Sequence, residues 1–174
     1  VEARLYPALY AARRGEEAII GGNTIAEGIA VKEFGKLPLA ITQTTVDDVV
    51  LVEEDHLERA IVLFATVEKT IAEGAGAAGL AALLAHPTRF QGKEVGIVLC
   101  GGNIDTRLLA SVLTRSLVRE KRLASIRIIG DDRPGLLAKV SKIIGDGGGN
   151  IVEVSHNRIA LDVPAKGAEF DILV

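Results

Sequence analysis

The stretch Val95-Gly96-Ile97-Val98-Leu99-Cys100-Gly101-Gly102-Asn103-Ile104-Asp105 decides how this chain of 174 residues is read. Val95 to Leu99 has the composition of a short buried strand, the Gly101-Gly102 pair makes a turn, and Ile104-Asp105 opens a helix. That layout puts one polar side chain, Cys100, at the carboxyl end of a strand, where open α/β sheets bind their ligands. The glycines that follow let a flat or anionic group approach the backbone with no Cβ in the way. Cys100 is therefore the first candidate to face a ligand ring. A small apolar thiol that merely ends a strand is the plainer alternative.

Working outward, Asp105 to Lys121 follows as a helix, and its basic end from Arg115 to Arg122 complements the helix dipole. On the other side, Ala75 to Leu84 is a nearly all-apolar helix of small residues that Pro87 ends. Before it, Glu53-Glu54-Asp55 opens a helix whose positions Leu57, Ala60, Ile61, Phe64 and Val67 form one apolar face. Asp47 to Val52 is a strand. Further towards Val1, Leu39 to Val46 is helical, Gly21 to Gly28 is a loop that turns into a short helix, and Glu16 to Ile20 is a weak strand. Pro7 opens a helix over Ala8 to Arg14, which Gly15 stops.

Past Arg122 a new unit begins, so residues 1–121 and 122–174 are expected to be separate domains. Leu123 to Ile129 alternates as a strand, Gly130 to Gly135 turns, and Leu136 to Ile144 is a helix stopped by Gly145 to Gly149. Asn150 to Ile159 is a strand, Asp162 to Gly167 a hairpin connection, and Ala168 to Val174 its return. The absence of methionine and the end within a strand at Phe170 to Val174 lead us to expect a cut at both ends.

Bulk numbers narrow the function classes. With 19 glycines and 3% aromatic residues, the chain suits a tightly packed α/β protein better than a β-sandwich. A net charge of −3, with no basic cluster beyond the helix end, argues against nucleic-acid binding. The longest apolar run, Ala75 to Ala85, is too short to span a membrane, and no signal peptide is visible. One cysteine allows no internal disulfide and points to a reducing, cytoplasmic compartment.

Four stretches resemble the threonine dehydratase (threonine ammonia-lyase) family of pyridoxal-phosphate enzymes. They are Thr24 to Val31, Val46 to Val52, Ala72-Glu73-Gly74-Ala75-Gly76-Ala77-Ala78, and Leu99 to Asp105, and they follow the family's order over residues 1 to about 119. The second half resembles an ACT domain, a sensor of small ligands, through Asp132-Arg133-Pro134-Gly135-Leu136-Leu137 and Asn150-Ile151-Val152-Glu153-Val154. The fold this implies is α/β: part of a three-layer α/β/α pyridoxal-phosphate fold type II, then a ferredoxin-like βαββαβ ACT domain of which only βαββ is present. The family's cofactor-bearing lysine lies in a Ser-x-Lys-x-Arg-Gly-Ala motif, and none of the eight lysines here sits in one. Its phosphate-binding glycine loop is expected upstream of Val1, so the chain resembles a C-terminal fragment.

The resemblance implies pyridoxal 5'-phosphate as cofactor, with Cys100, Gly101, Glu73, Gly28 and Asn103 beside it. It implies Cys100 as a neutral partner of the pyridine nitrogen, Glu73 at the ring's rim, and Asn103 bracing the loop. For Glu73 the rival reading is an acid that caps the following helix; for Gly28 it is a plain turn glycine. The reaction implied is deamination of L-threonine to 2-oxobutanoate and of L-serine to pyruvate, the former a step towards isoleucine. A serine racemase or serine dehydratase of the same fold, or a non-catalytic amino-acid-binding regulator, are the alternatives.

For the second half the resemblance implies allosteric binding of an amino-acid effector by Asp132, Pro134, Gly135, Leu136 and Asn150, with Pro134-Gly135 as a mere turn the plainer reading. Side-by-side pairing of such domains implies a homo-oligomer. A family cation site would use Glu2 and the carbonyl of Tyr6, but its acid falls at Ala8, so no metal is expected. His56, His86 and His156 show no metal-ligand spacing, and His156 reads as a partly exposed strand residue.

Overall fold

Residues 1–158 and 166–174 are described by the computed structural model, and they divide into two compact units, Val1–Ser116 and Leu117–Val174. In the first, two very short strands, β1 (Glu2–Ala3) and β2 (Leu51–Val52), pair in parallel with Glu2 opposite Leu51. Helix α1 (Ala8–Ala12) follows Pro7, which has no side-chain cap to offer. The carboxylate of Glu2 replaces that cap: its two oxygens accept the N–H groups of Leu9 and Tyr10, each at 2.8 Å. A 3-10 turn (Glu27–Ile29) and α2 (Lys36–Thr45) come next.

The core of this unit lies between α3 (Glu54–Thr66) and α4 (Gly74–Ala85). Leu57, Ala60 and Ile61 of α3 are fully buried and Phe64 nearly so, the face that the i, i+3, i+4, i+7 spacing predicts. Burial of Leu57 or Ile61 stabilises by about 1.5–3 kcal/mol each. Val67 leaves that face: α3 stops at Thr66, and Val67 is 64% exposed. Pro87 does follow the end of α4, and it also occupies the first position of a further short helix, α5 (Pro87–Phe90), which suits its fixed φ.

Two expectations fail here. Glu16 to Ile20 forms no strand, and neither does Val95 to Leu99. The latter pairs with no other segment among the described residues, and Val98 is 80% exposed. Apolar composition gives a segment a tendency to extend, but a strand exists only where a neighbour completes its ladder. Helix α6 (Thr106–Arg119) begins where expected, because a side-chain oxygen of Asp105 accepts the N–H groups of Arg107 and Leu108 at 2.9 and 3.0 Å. Val112 of α6 joins the core, and Arg115 meets the buried Glu58 of α3 at 3.1 Å.

The second unit holds β3 (Ser125–Asp131), α7 (Leu136–Asp146), β4 (Glu153–Asn157) and β5 (Gly167–Leu173). The sheet order is β3-β5-β4 with both pairs antiparallel, so β3 and β4 run the same way with β5 inserted, a split β-α-β arrangement. Ala168, Phe170 and Ile172 of β5 pack with Val140 of α7 in the core. The intervening positions face the other way, where Arg127 meets Asp171 at 3.0 Å and Glu169 at 3.5 Å. The hydrogen bond from Arg127 holds the Asp171 carboxyl below the ordinary aspartate value. Strand β4 starts at Glu153, so Asn150 precedes it. Ile159, the end of the expected strand, and residues 162–165 of the expected hairpin connection lie outside the described residues.

Candidate functional site

Small residues on α4 build the first site. A Cβ on Gly74 would lie 2.1 Å from the carbonyl oxygen of Ile25, and one on Gly76 would lie 2.3 Å from that of Gly101. Only glycine lets both backbones come this close. The first turn of α4 therefore gathers the loop before the 3-10 turn and the loop after Cys100 onto one helix end. The Glu73 N–H completes the join by donating to the Gly101 carbonyl at 3.0 Å.

Glu73 stands at the N-cap of α4, and its carbonyl accepts the Ala77 N–H, yet its side chain makes no cap hydrogen bond. The carboxylate instead lies against Gly101 and Gly28: Cβ atoms there would come 2.1 and 3.8 Å from its Oε1. This decides against side-chain capping as the role of Glu73. Half-buried, the carboxylate helps line a cavity of about 160 Å³ together with Gly28, Asn103, Asp105, Ala75 and Leu108.

Of the five residues expected beside the cofactor, Gly28, Glu73 and Asn103 thus share one cavity, and Gly101 backs the Glu73 side chain. Cys100 is exposed and is not among the cavity's lining residues, nor does it end a buried strand. These residues fit one side of a flat heteroaromatic group: glycines at two approaches, a carboxylate not spent on capping its helix, and an amide at Asn103. Among the described residues, no lysine lines the cavity. The sequence offered little sign of Ala75 or Leu108 as lining residues, since both read as ordinary apolar positions of helices.

In the second unit, Asp132, Pro134, Gly135 and Leu136 line one cavity of about 750 Å³ with His156, Arg158 and Phe170, and Asn150 is not part of it. Gly135 has φ 88° and ψ −4°, the geometry of the third residue of a type II turn, with proline at the second. That residue precedes α7 and has no side chain to cap it. Arg158 grips Asp132 with two nitrogens, at 2.7 and 3.3 Å. His156 is an exposed strand residue, as expected, and its ring stacks on its cross-strand partner Phe170 at 4.3 Å. Arg158 was not singled out from the sequence, although period-2 alternation from His156 puts it on the same side.

No helix of the described residues is long and apolar enough to cross a membrane. Among them no group of three or more His, Cys, Asp or Glu side chains could hold a metal ion. Glu2, the acid that the family cation site would use, has both oxygens engaged by α1.

Comparison with known proteins finds relatives of this chain. The L-threonine ammonia-lyase of Thermotoga maritima is 37% identical over 99% of this chain, which covers 43% of that protein. Among solved structures, the T.th. threonine deaminase matches with a TM-score of 0.54 and 28% identity, over 60% of this chain and 34% of that one. Maize serine racemase matches with a TM-score of 0.54 and 26% identity, over 69% of this chain and 38% of that one. The chain thus spans less than half the length of each of these proteins. A family model described as "Pyridoxal-phosphate dependent enzyme" matches residues 1–101, more than half of the chain, including every residue around the α4 cavity up to Gly101. The chain belongs to the pyridoxal-phosphate dependent enzyme family.

Proposed function

We propose that this chain is part of a pyridoxal-phosphate dependent L-threonine ammonia-lyase, converting L-threonine to 2-oxobutanoate and ammonia, and L-serine to pyruvate and ammonia. The observation that carries the reading is the Thermotoga maritima relative of that name, whose similarity runs through both units of the chain. Bound pyridoxal phosphate would supply the electron sink that eases loss of the amino acid's α-proton. The chain's own residues would set how strong that sink is. A neutral thiol at Cys100 beside the ring nitrogen would leave it largely unprotonated, which suits β-elimination. Glu73 would hold a polar edge of the ring, Asn103 would brace the loop, and Gly28 and Gly101 would keep both approaches open. The base would come from a lysine outside this cavity, since none lines it.

The second unit would be the βαββ portion of an ACT regulatory domain, a reading supported by its split β-α-β order and its Asp132–Pro134–Gly135 turn. An amino-acid effector, with isoleucine and valine as the first candidates, would set its carboxylate at the start of α7 or against Arg158. Side-by-side pairing would make the protein a homo-oligomer, and its place would be the cytoplasm. Serine racemase is the second reading, favoured by the maize enzyme's equal TM-score.

Product analysis of the intact protein separates the two: keto acid from L-threonine supports the lyase, and D-serine as the main product from L-serine supports the racemase. Cys100→Asp should lower the elimination rate by about tenfold or more, and Cys100→Ser should retain most of it. An unchanged rate in Cys100→Asp would remove Cys100 from the ring.

A further inference from the structure

Four segments far apart in sequence converge on a second polar cavity of the first unit, about 250 Å³ in volume. Arg4 comes from the end of β1, Arg14 from the end of α1, Asp48 from the approach to β2, and His86 and Arg89 from the α4–α5 junction. It shares no lining residue with the cavity of Gly28, Glu73 and Asn103. Three guanidiniums line it against one carboxylate, Asp48.

The ion pairs leave most of these donors unused. Arg89 meets Asp48 at 2.7 Å through a single terminal nitrogen, and Arg4 meets Glu53, which lies outside the lining, through Nε alone. Arg14 has no carboxylate partner among the described residues. Its guanidinium lies 3.6 Å over the Tyr10 ring and gives one hydrogen bond, to the Tyr10 carbonyl at 3.1 Å. Stacking holds that planar fork in place, and its other N–H groups have no acceptor among the described residues. Counting Arg4, Arg14 and Arg89 against Asp48 and Glu53 leaves one surplus positive charge (three minus two). The hydrogen bond from Arg89, then one from the Val49 N–H, keeps the Asp48 carboxyl below the ordinary aspartate value, so that acid stays ionised and cannot donate to an anion.

We propose that this cavity binds the phosphate group of a small phosphorylated metabolite, held by Arg4, Arg14 and Arg89. Forks arriving from three separate segments suit a tetrahedral group that shows several oxygens, whereas a carboxylate shows only two in one plane. Sharing Arg89 with Asp48 makes the affinity modest.

The test is calorimetric titration of the cofactor-loaded, intact protein with inorganic phosphate at constant ionic strength, so that the cofactor's own phosphate subsite is already filled. Saturable binding at one site per chain is expected. Arg14 is exposed, and Arg14→Ala should fold normally, checked by its melting curve, while weakening phosphate about tenfold or more. Arg14→Lys should fall between. Arg89→Gln, on a different segment, should weaken it as well. Non-saturable uptake, or binding that neither variant changes, would overturn the site. Acetate binding as tightly as phosphate would overturn the assignment to phosphate.

Discussion

A Cβ at Gly76 and one at Gly101 would both meet an atom closer than 2.5 Å, yet their consequences differ. At Gly76 the obstacle is the Gly101 backbone carbonyl, 2.3 Å away, and neither chain can move without separating α4 from its loop. The clash outweighs the roughly 1 kcal/mol that alanine gains over glycine in a helix. Gly76→Ala should therefore lose on the order of 1–2 kcal/mol of stability in urea unfolding. At Gly101 the obstacle is the Glu73 carboxylate, the end of a flexible side chain. Gly101→Ala should cost less than about 1 kcal/mol but displace Glu73, and so weaken cofactor binding, read by fluorescence titration. If Gly101→Ala destabilised as much as Gly76→Ala, Glu73 would have to be pinned rather than movable. The residue types were visible in the sequence, but the way Glu73 turns was not. A capping acid and one turned away from its helix end have the same local signature, and only the close approach of Gly28 and Gly101 separates them.

At the scale of the element, helix ends were the most legible feature, because a cap acts within one turn of its helix. Asp105 stands just before α6 and accepts two of its N–H groups. Asp105→Ala should cost about 1 kcal/mol, and Asp105→Asn only a fraction of it, measured by thermal unfolding. The capping of α1 by Glu2 lies seven and eight residues away in sequence, beyond any local rule. That bond gives the acid at position 2 a role in capping α1, although the second acid of the family cation site is replaced by Ala8. Strands were less legible than helices. Val95 to Leu99 reads as one from composition alone, and the missing neighbour is a fact about other parts of the fold.

For the whole molecule, the proposed reaction needs a base and a phosphate cradle that the α4 cavity does not contain. The 174-residue chain alone should form no 2-oxobutanoate from L-threonine at any cofactor concentration, while the intact protein should. Keto-acid formation by the isolated chain would sink the assignment of the base to a lysine outside it. Local pattern was enough for the face of α3, the helix starts at Glu54 and just after Asp105, the β-α-β-β order of the second unit, and the glycine-flanked acid and amide of the first. These follow from periodicity and capping, which act over a few residues. Tertiary structure alone decided that Gly28, Glu73 and Asn103 share a cavity while Cys100 stands outside its lining, and that Arg158 rather than Asn150 joins Asp132. It also gathered Arg4, Arg14 and Arg89 around one space. Side-chain direction and long-range approach depend on which backbones can touch. That is set by the packing of the glycine face of α4 and the strand register of the second unit, not by any local pattern.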